Sequence, residues 1–122
     1  MRLLSLIRVD ERSGQAPSEQ LMRDMGQLIE ELTRSGARVS TAGLRPTREG
    51  ARVRLRRGGA LSVTDGPFTE TKEVIGGFAI LNYDSHEAAI EGAKRVMKIH
   101  ADAGVTELEI EIRPMFGPNC TQ

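Results

Sequence analysis

Two stretches of helical periodicity, each bracketed by short apolar runs suited to strands, constrain this chain more than any other feature. In the first, Leu21, Met22, Met25, Leu28, Ile29 and Leu32 recur at one-face helical spacing. Ser18 offers the N-cap and Gly36 the stop. In the second, Asp84 and Glu87 stand at capping-box spacing, Ala89, Ala93, Val96, Met97 and His100 mark the inner face, and Gly104 ends it. Residues 3–9, 38–44, 77–83 and 108–113 read as the flanking strands. Between the two halves, Ala51 to Arg57 alternates, with Val53 and Leu55 on one face and Arg52, Arg54 and Arg56 on the other. Gly58-Gly59 then predicts a two-residue primed turn into residues 61–64. Gly26 interrupts the first helix, at a cost of about 1 kcal/mol relative to Ala unless something packs close there.

The order is therefore β-α-β, a hairpin, then β-α-β. With both helices on one face of a mostly antiparallel sheet, this is a ferredoxin-like α+β sandwich carrying an extra β-hairpin. At 122 residues there is room for one such domain, expected over residues 1–116, with 117–122 as a frayed tail. A sheet covered on one side leaves a second apolar face in water. A homodimer joined face to face is expected, with an interface on the order of 1,200–2,000 Å².

Composition narrows the function. Seventeen basic residues balance seventeen acidic ones, so no global attraction to nucleic acid or an anionic membrane follows. Phe68, Phe78, Tyr83 and Phe116 are the only aromatics, too few for a base-stacking platform. Apolar runs fall far short of the ~20 residues needed to span a bilayer, and no secretory signal pattern opens the chain, so a cytoplasmic location is expected. The single cysteine, Cys120, excludes an internal disulfide and any multi-cysteine metal site. His86 and His100 sit about 21 Å apart along one helix and cannot share a metal. No metal or other cofactor is expected. His86 reads as exposed, and His100 as partly buried and hydrogen-bonded.

The segment from Thr64 to Glu73 stands apart, since an eleven-or-so-residue connection exceeds the usual hairpin loop and long ordered loops tend to be functional. Asp65-Gly66-Pro67 suits a tight turn, and a turn role for Asp65 outweighs a chemical one on residue type alone. The chemical reading makes Asp65 a general base or ligand anchor at a strand end, aided by Lys72 and Glu73. On that reading the loop walls a pocket, with Asp65 at the rim, Phe68 packed beneath, and Lys72 near a carboxylate of the same loop. Arg45, Arg48, Arg52, Arg54, Arg56 and Arg57 cluster around the hairpin. They suit an anion site, but a solvated edge hairpin protected by charge is the plainer reading. Glu107, Glu109 and Glu111 form an acidic stripe able to neutralise them.

The run Asp65-Gly66-Pro67-Phe68-Thr69-Glu70-Thr71-Lys72-Glu73, followed by Gly76-Gly77-Phe78, closely resembles the signature of the YCII-related family in its DGPF branch. Ala42-Gly43-Leu44-Arg45-Pro46, Ser85 with Glu87-Ala88-Ala89, and Glu111-Ile112-Arg113-Pro114 agree with it. The resemblance spans roughly residues 2–116. It implies a dimeric ferredoxin-like α/β-barrel, similar to small isomerases and monooxygenases that put a pocket between sheet and helices. The candidate site residues are Asp65 for catalysis and Phe68, Lys72, Glu73 and Arg113 for contact with a small-molecule ligand. Related proteins are proposed to pair an aspartate with a histidine on the first helix; residues 18–35 contain none. The resemblance also implies a link to extracytoplasmic-function sigma factors. Three readings stand side by side: an acid–base enzyme around Asp65, a non-catalytic ligand-binding or regulatory module, and a structural dimer.

Overall fold

The computed structural model describes residues 1–13 and 17–117. The elements run β1 (Arg2–Val9), α1 (Glu19–Ser35), β2 (Arg38–Gly43), β3 (Ala51–Leu55), β4 (Leu61–Asp65), β5 (Val74–Asn82), α2 (His86–Asp102) and β6 (Glu109–Pro114), with single 3-10 turns at Glu11–Ser13 and Thr47–Glu49. Four strands form an antiparallel sheet in the order β2-β5-β1-β6, and β3 and β4 form a separate two-stranded ribbon. Each helix connects strands that are not neighbours, which is the ferredoxin-like α+β topology. The tail expected after residue 116 lies, from 118 onward, outside the described residues, as does Cys120.

Both helices begin on a serine. Ser18 Oγ accepts from the Leu21 N–H at 3.1 Å and Ser85 Oγ from the Ala88 N–H at 3.1 Å. The second cap therefore falls one residue later than the Asp84–Glu87 spacing suggests, because Ser85 is the last residue with extended backbone. Gly36 and Gly104, at φ 81° and 92°, terminate the helices in the left-handed conformation. Nothing lies within 4 Å of where a Cβ on Gly26 would stand, so that glycine weakens α1 without packing in return.

Period-two alternation assigns the sheet faces. Leu3, Ser5 and Ile7 of β1, Ala79 and Leu81 of β5, and Ile110 and Ile112 of β6 face the helices, where they meet Leu28, Leu32, Ala89 and Val96. Leu3, Leu21, Leu28, Val74 and Ala89 are buried. Burial of each larger aliphatic side chain stabilises by about 1.5–3 kcal/mol. The opposite face brings Leu4 against Ile80 and Leu6 against Phe78, with Ala42 across from Phe78 on the far side. Along β6 that face turns charged: Arg8 pairs with Glu109 at 3.4 Å and Glu111 at 2.8 Å, and Arg113 with Glu111 at 3.2 Å. The acidic stripe thus neutralises a β1 arginine, not the hairpin cluster.

Two boundaries differ from expectation. β5 begins at Val74, three residues early, because Gly76 and Gly77 hide the strand pattern while a bulge between Ile7 and Arg8 absorbs the extra residue. A Cβ on Gly76 would come within 2.7 Å of Val9 Cγ2. The ribbon closes with three residues, not two: Arg56 N–H donates to the Ala60 carbonyl at 2.7 Å and Gly59 N–H to the Arg56 carbonyl at 3.0 Å. Gly58 and Gly59, at φ 91° and 90°, both require the glycine conformation there.

Candidate functional site

Most of the charge and polarity brought together from distant sequence lies at the end of the sheet where β1 finishes and β5 starts. Thr47, in the β2–β3 connection, is the pin. Its N–H donates to Glu11 Oε1 at 3.0 Å, its hydroxyl donates to Glu11 Oε2, and its oxygen accepts from the Phe68 N–H at 3.2 Å. These bonds to Thr47, the hydroxyl's first and the amide's second, hold the Glu11 carboxyl below the usual carboxylate range. Beside them the Gly66 N–H donates to the Gly50 carbonyl at 2.9 Å, and the Leu44 N–H to the Gly76 carbonyl at 2.8 Å. A Cβ on Gly66 would stand 1.6 Å from the Thr47 carbonyl oxygen. Glycine is required there by close backbone approach.

Those contacts frame a cleft of about 580 Å³, lined by residues 44–47 and 49–52, Arg8, Phe68, Thr71 and 73–75. Its size falls in the ordinary range for small-molecule sites, roughly 300–1,000 Å³. Arg52 lies over the Phe68 ring at 3.8 Å from the centroid, while its Nη1 donates to Glu70 Oε1 at 2.6 Å. The ring contact and the ion pair together restrain the guanidinium. The Glu70 carboxyl sits below its usual range, through its own backbone N–H first and Arg52 next. Arg8 approaches from β1, its pKa raised chiefly by the hydrogen bond to Glu111. Arg45 is paired with Glu49 at 2.8 Å. Glu73 lines the cleft and has no hydrogen-bond or ion-pair partner among the described residues.

A second space, between the helices and the sheet, measures about 70 Å³. Its lining is largely aliphatic, with Tyr83 and Arg38 among the exceptions; the Arg38 Nε is buried without a partner among the described residues. It has room for a few water molecules.

Of the residues singled out by the sequence, Phe68 and Glu73 of the loop and Arg45 and Arg52 of the arginine cluster line the cleft. Asp65 ends β4, exposed, with its backbone opposite Ala51, and does not line it. Lys72 is exposed and pairs at 3.4 Å with Glu107, ahead of β6, not with a carboxylate of its own loop. Arg113 is on the open sheet face beside Glu111, away from the cleft. The connection itself is eight residues, 66–73, shorter than expected because β4 runs through Asp65 and β5 starts at Val74. His86 is exposed, and His100 Nδ1–H donates to the Val96 carbonyl at 2.8 Å. Among the described residues no three His, Cys, Asp or Glu side chains gather where they could hold a metal, and no helix is long and apolar enough to cross a membrane. Sequence reasoning missed Glu11, Thr47 and Arg8, which lie far from the loop in sequence and reach it only through the fold.

The architecture and this cleft define a ferredoxin-like α+β domain with a polar, arginine-lined depression at one end of its sheet. The family model of the YCII-related domain matches residues 1–115. The chain belongs to the YCII-related domain family. It is similar to an uncharacterized protein of Rhizobium meliloti (strain 1021), 31% identical over 97 residues that make up 80% of this chain and 74% of that one.

Proposed function

We propose that this YCII-related domain, of the DGPF branch on the strength of its 65–73 motif, binds a small organic anion in the cleft beside that loop. The observation that carries the reading is the Arg52 guanidinium, held over the Phe68 ring and paired on one nitrogen with Glu70, in a cleft of about 580 Å³. A planar cation pre-oriented in this way loses little freedom when it meets a carboxylate or phosphate fork. Leu44, Val74 and Ile75 supply apolar wall, and Glu73, without a partner among the described residues, accepts a hydroxyl or amine of the ligand. The exposure of Asp65 outside the cleft favours binding over catalysis by that residue.

The test is isothermal titration calorimetry with a panel of small mono- and dicarboxylates and phosphate esters, repeated on Arg52→Gln. A panel member should bind the wild type, and the variant should weaken it by at least about 10-fold, the low end for losing one charge-assisted hydrogen bond. Undiminished binding by Arg52→Gln, or no binding to the wild type, contradicts the reading.

A further inference from the structure

The β3–β4 ribbon carries a surface that the cleft does not explain. Val53 faces Val63 and Leu55 faces Leu61 across the ribbon, and these four side chains are 70%, 66%, 72% and 71% exposed. The other face holds Arg52 and Arg54 opposite Thr64 and Ser62. Neither strand is hydrogen-bonded to the main sheet. An isolated two-stranded ribbon is marginal in water, and a ribbon meant to remain solvated has no use for four large aliphatic residues on one side.

We propose that this ribbon is an intersubunit arm: its apolar face lies on the open sheet face of a second copy of this chain, and that copy returns the contact.

The receiving surface is already present on the chain. Leu4, Leu6, Phe78 and Ile80, each half-buried, form an apolar centre on the face opposite the helices. Charge permits the match. The apolar ribbon face has one ionisable group, Asp65 at its end, and the charges flanking the sheet patch are paired among themselves, Arg8 with Glu109 and Glu111, and Arg113 with Glu111. Docking thus buries no lone charge at its centre, and Arg54 stays in water on the back of the ribbon.

Area favours reciprocity. Four aliphatic residues this exposed offer on the order of 400–500 Å², the size of patch that marks an interaction site. One ribbon and the surface beneath it would bury roughly 800–1,000 Å², short of a stable interface. Two ribbons related by a twofold axis bring the total to roughly 1,600–2,000 Å², a standard interface. The arm is independent of the proposed ligand, although Ala51 and Arg52 at its base also line the cleft.

Sedimentation velocity on the full chain across micromolar concentrations tests the arm. The wild type should sediment as a dimer of 13.4 kDa chains. The double variant Leu55→Thr with Leu61→Thr should raise the dimer–monomer midpoint by at least about 100-fold, since four leucines per dimer would lose their burial. Val63→Thr, isosteric and compatible with a strand, should shift it in the same direction by less. Met22→Thr, at an exposed position on α1, should leave it unchanged. At dilutions where all are monomeric the ribbon variants should melt with the wild type, because these side chains already touch water in one chain. A wild type that sediments as a single chain overturns the proposal, whether or not it pellets with anionic phospholipid vesicles. So does a dimer whose midpoint the double variant leaves in place, which would be a dimer formed by the sheet faces alone.

Discussion

Gly66→Ala should be the most damaging single-methyl change at this end of the molecule. The new Cβ would stand 1.6 Å from the Thr47 carbonyl oxygen, 2.4 Å from its carbon and 3.1 Å from the Arg48 nitrogen, all backbone atoms that cannot swing aside. To restore van der Waals separation the two segments must part by roughly 2 Å. That movement breaks the Gly66–Gly50 and Phe68–Thr47 hydrogen bonds. Each contributes about 0.5–1.5 kcal/mol net. Shifting Phe68 also loosens the Arg52 stack, which contributes about 0.5–1 kcal/mol at a partly exposed site. Together these reach about 1.5–4 kcal/mol, or a fall in Tm of about 6–16 °C for a domain of this size. Gly50→Ala is the control, because its Cβ would lie 3.5 Å from the same carbonyl oxygen, an ordinary contact. Differential scanning calorimetry on both variants reads the difference. A Gly66→Ala protein melting within about 2 °C of wild type would refute the argument that the loop is seated by close backbone approach.

Gly26→Ala should stabilise by about 0.5–1 kcal/mol in chemical denaturation, since the position is inside α1 with open space around it. Ser85→Ala should cost about 1 kcal/mol and increase amide exchange in the first turn of α2, through loss of the bond from the Ala88 N–H. Thr47→Val should raise the Glu11 pKa toward the ordinary carboxylate value in a carboxyl-detected NMR titration, leaving only the backbone N–H as donor. A folded-state pKa below the unfolded one contributes stability above the unfolded value and loses it as pH falls through the folded one. The stability gap between wild type and Thr47→Val should therefore be widest at neutral pH and narrow as Glu11 protonates in acid.

Periodicity carries the fold legibly wherever side chains report it. Leu21 to Leu32 and Leu108 to Ile112 announce their elements because each places apolar groups at the period of the structure they build. The start of β5 is hidden because Gly76 and Gly77 have no side chains to alternate, and the bulge opposite Arg8 breaks the register. For the ribbon, alternation separates Val53 and Leu55 from the arginines correctly but cannot say what the apolar face meets. That depends on whether the ribbon joins the sheet, a tertiary fact. The cleft divides in the same way. Phe68 and Glu73 are marked by an unusual loop, whereas Glu11, Thr47 and Arg8 are common residues in unremarkable surroundings. Only the antiparallel return of β5 beside β1 and β2 brings them to one place.

The proposed ligand site is the cleft between the 44–52 connection and the 66–75 segment, not the space beneath the helices. A two-dimensional NMR titration of isotope-labelled full chain with the tightest-binding anion of the calorimetric panel tests it most directly. The account predicts saturable shifts concentrated at Arg8, Thr47, Arg52, Phe68, Thr71 and Glu73, with Leu28, Ala89 and Val96 unmoved. Shifts concentrated instead at Leu28, Ala89, Val96 and Ile112 would place the ligand between helices and sheet and contradict it.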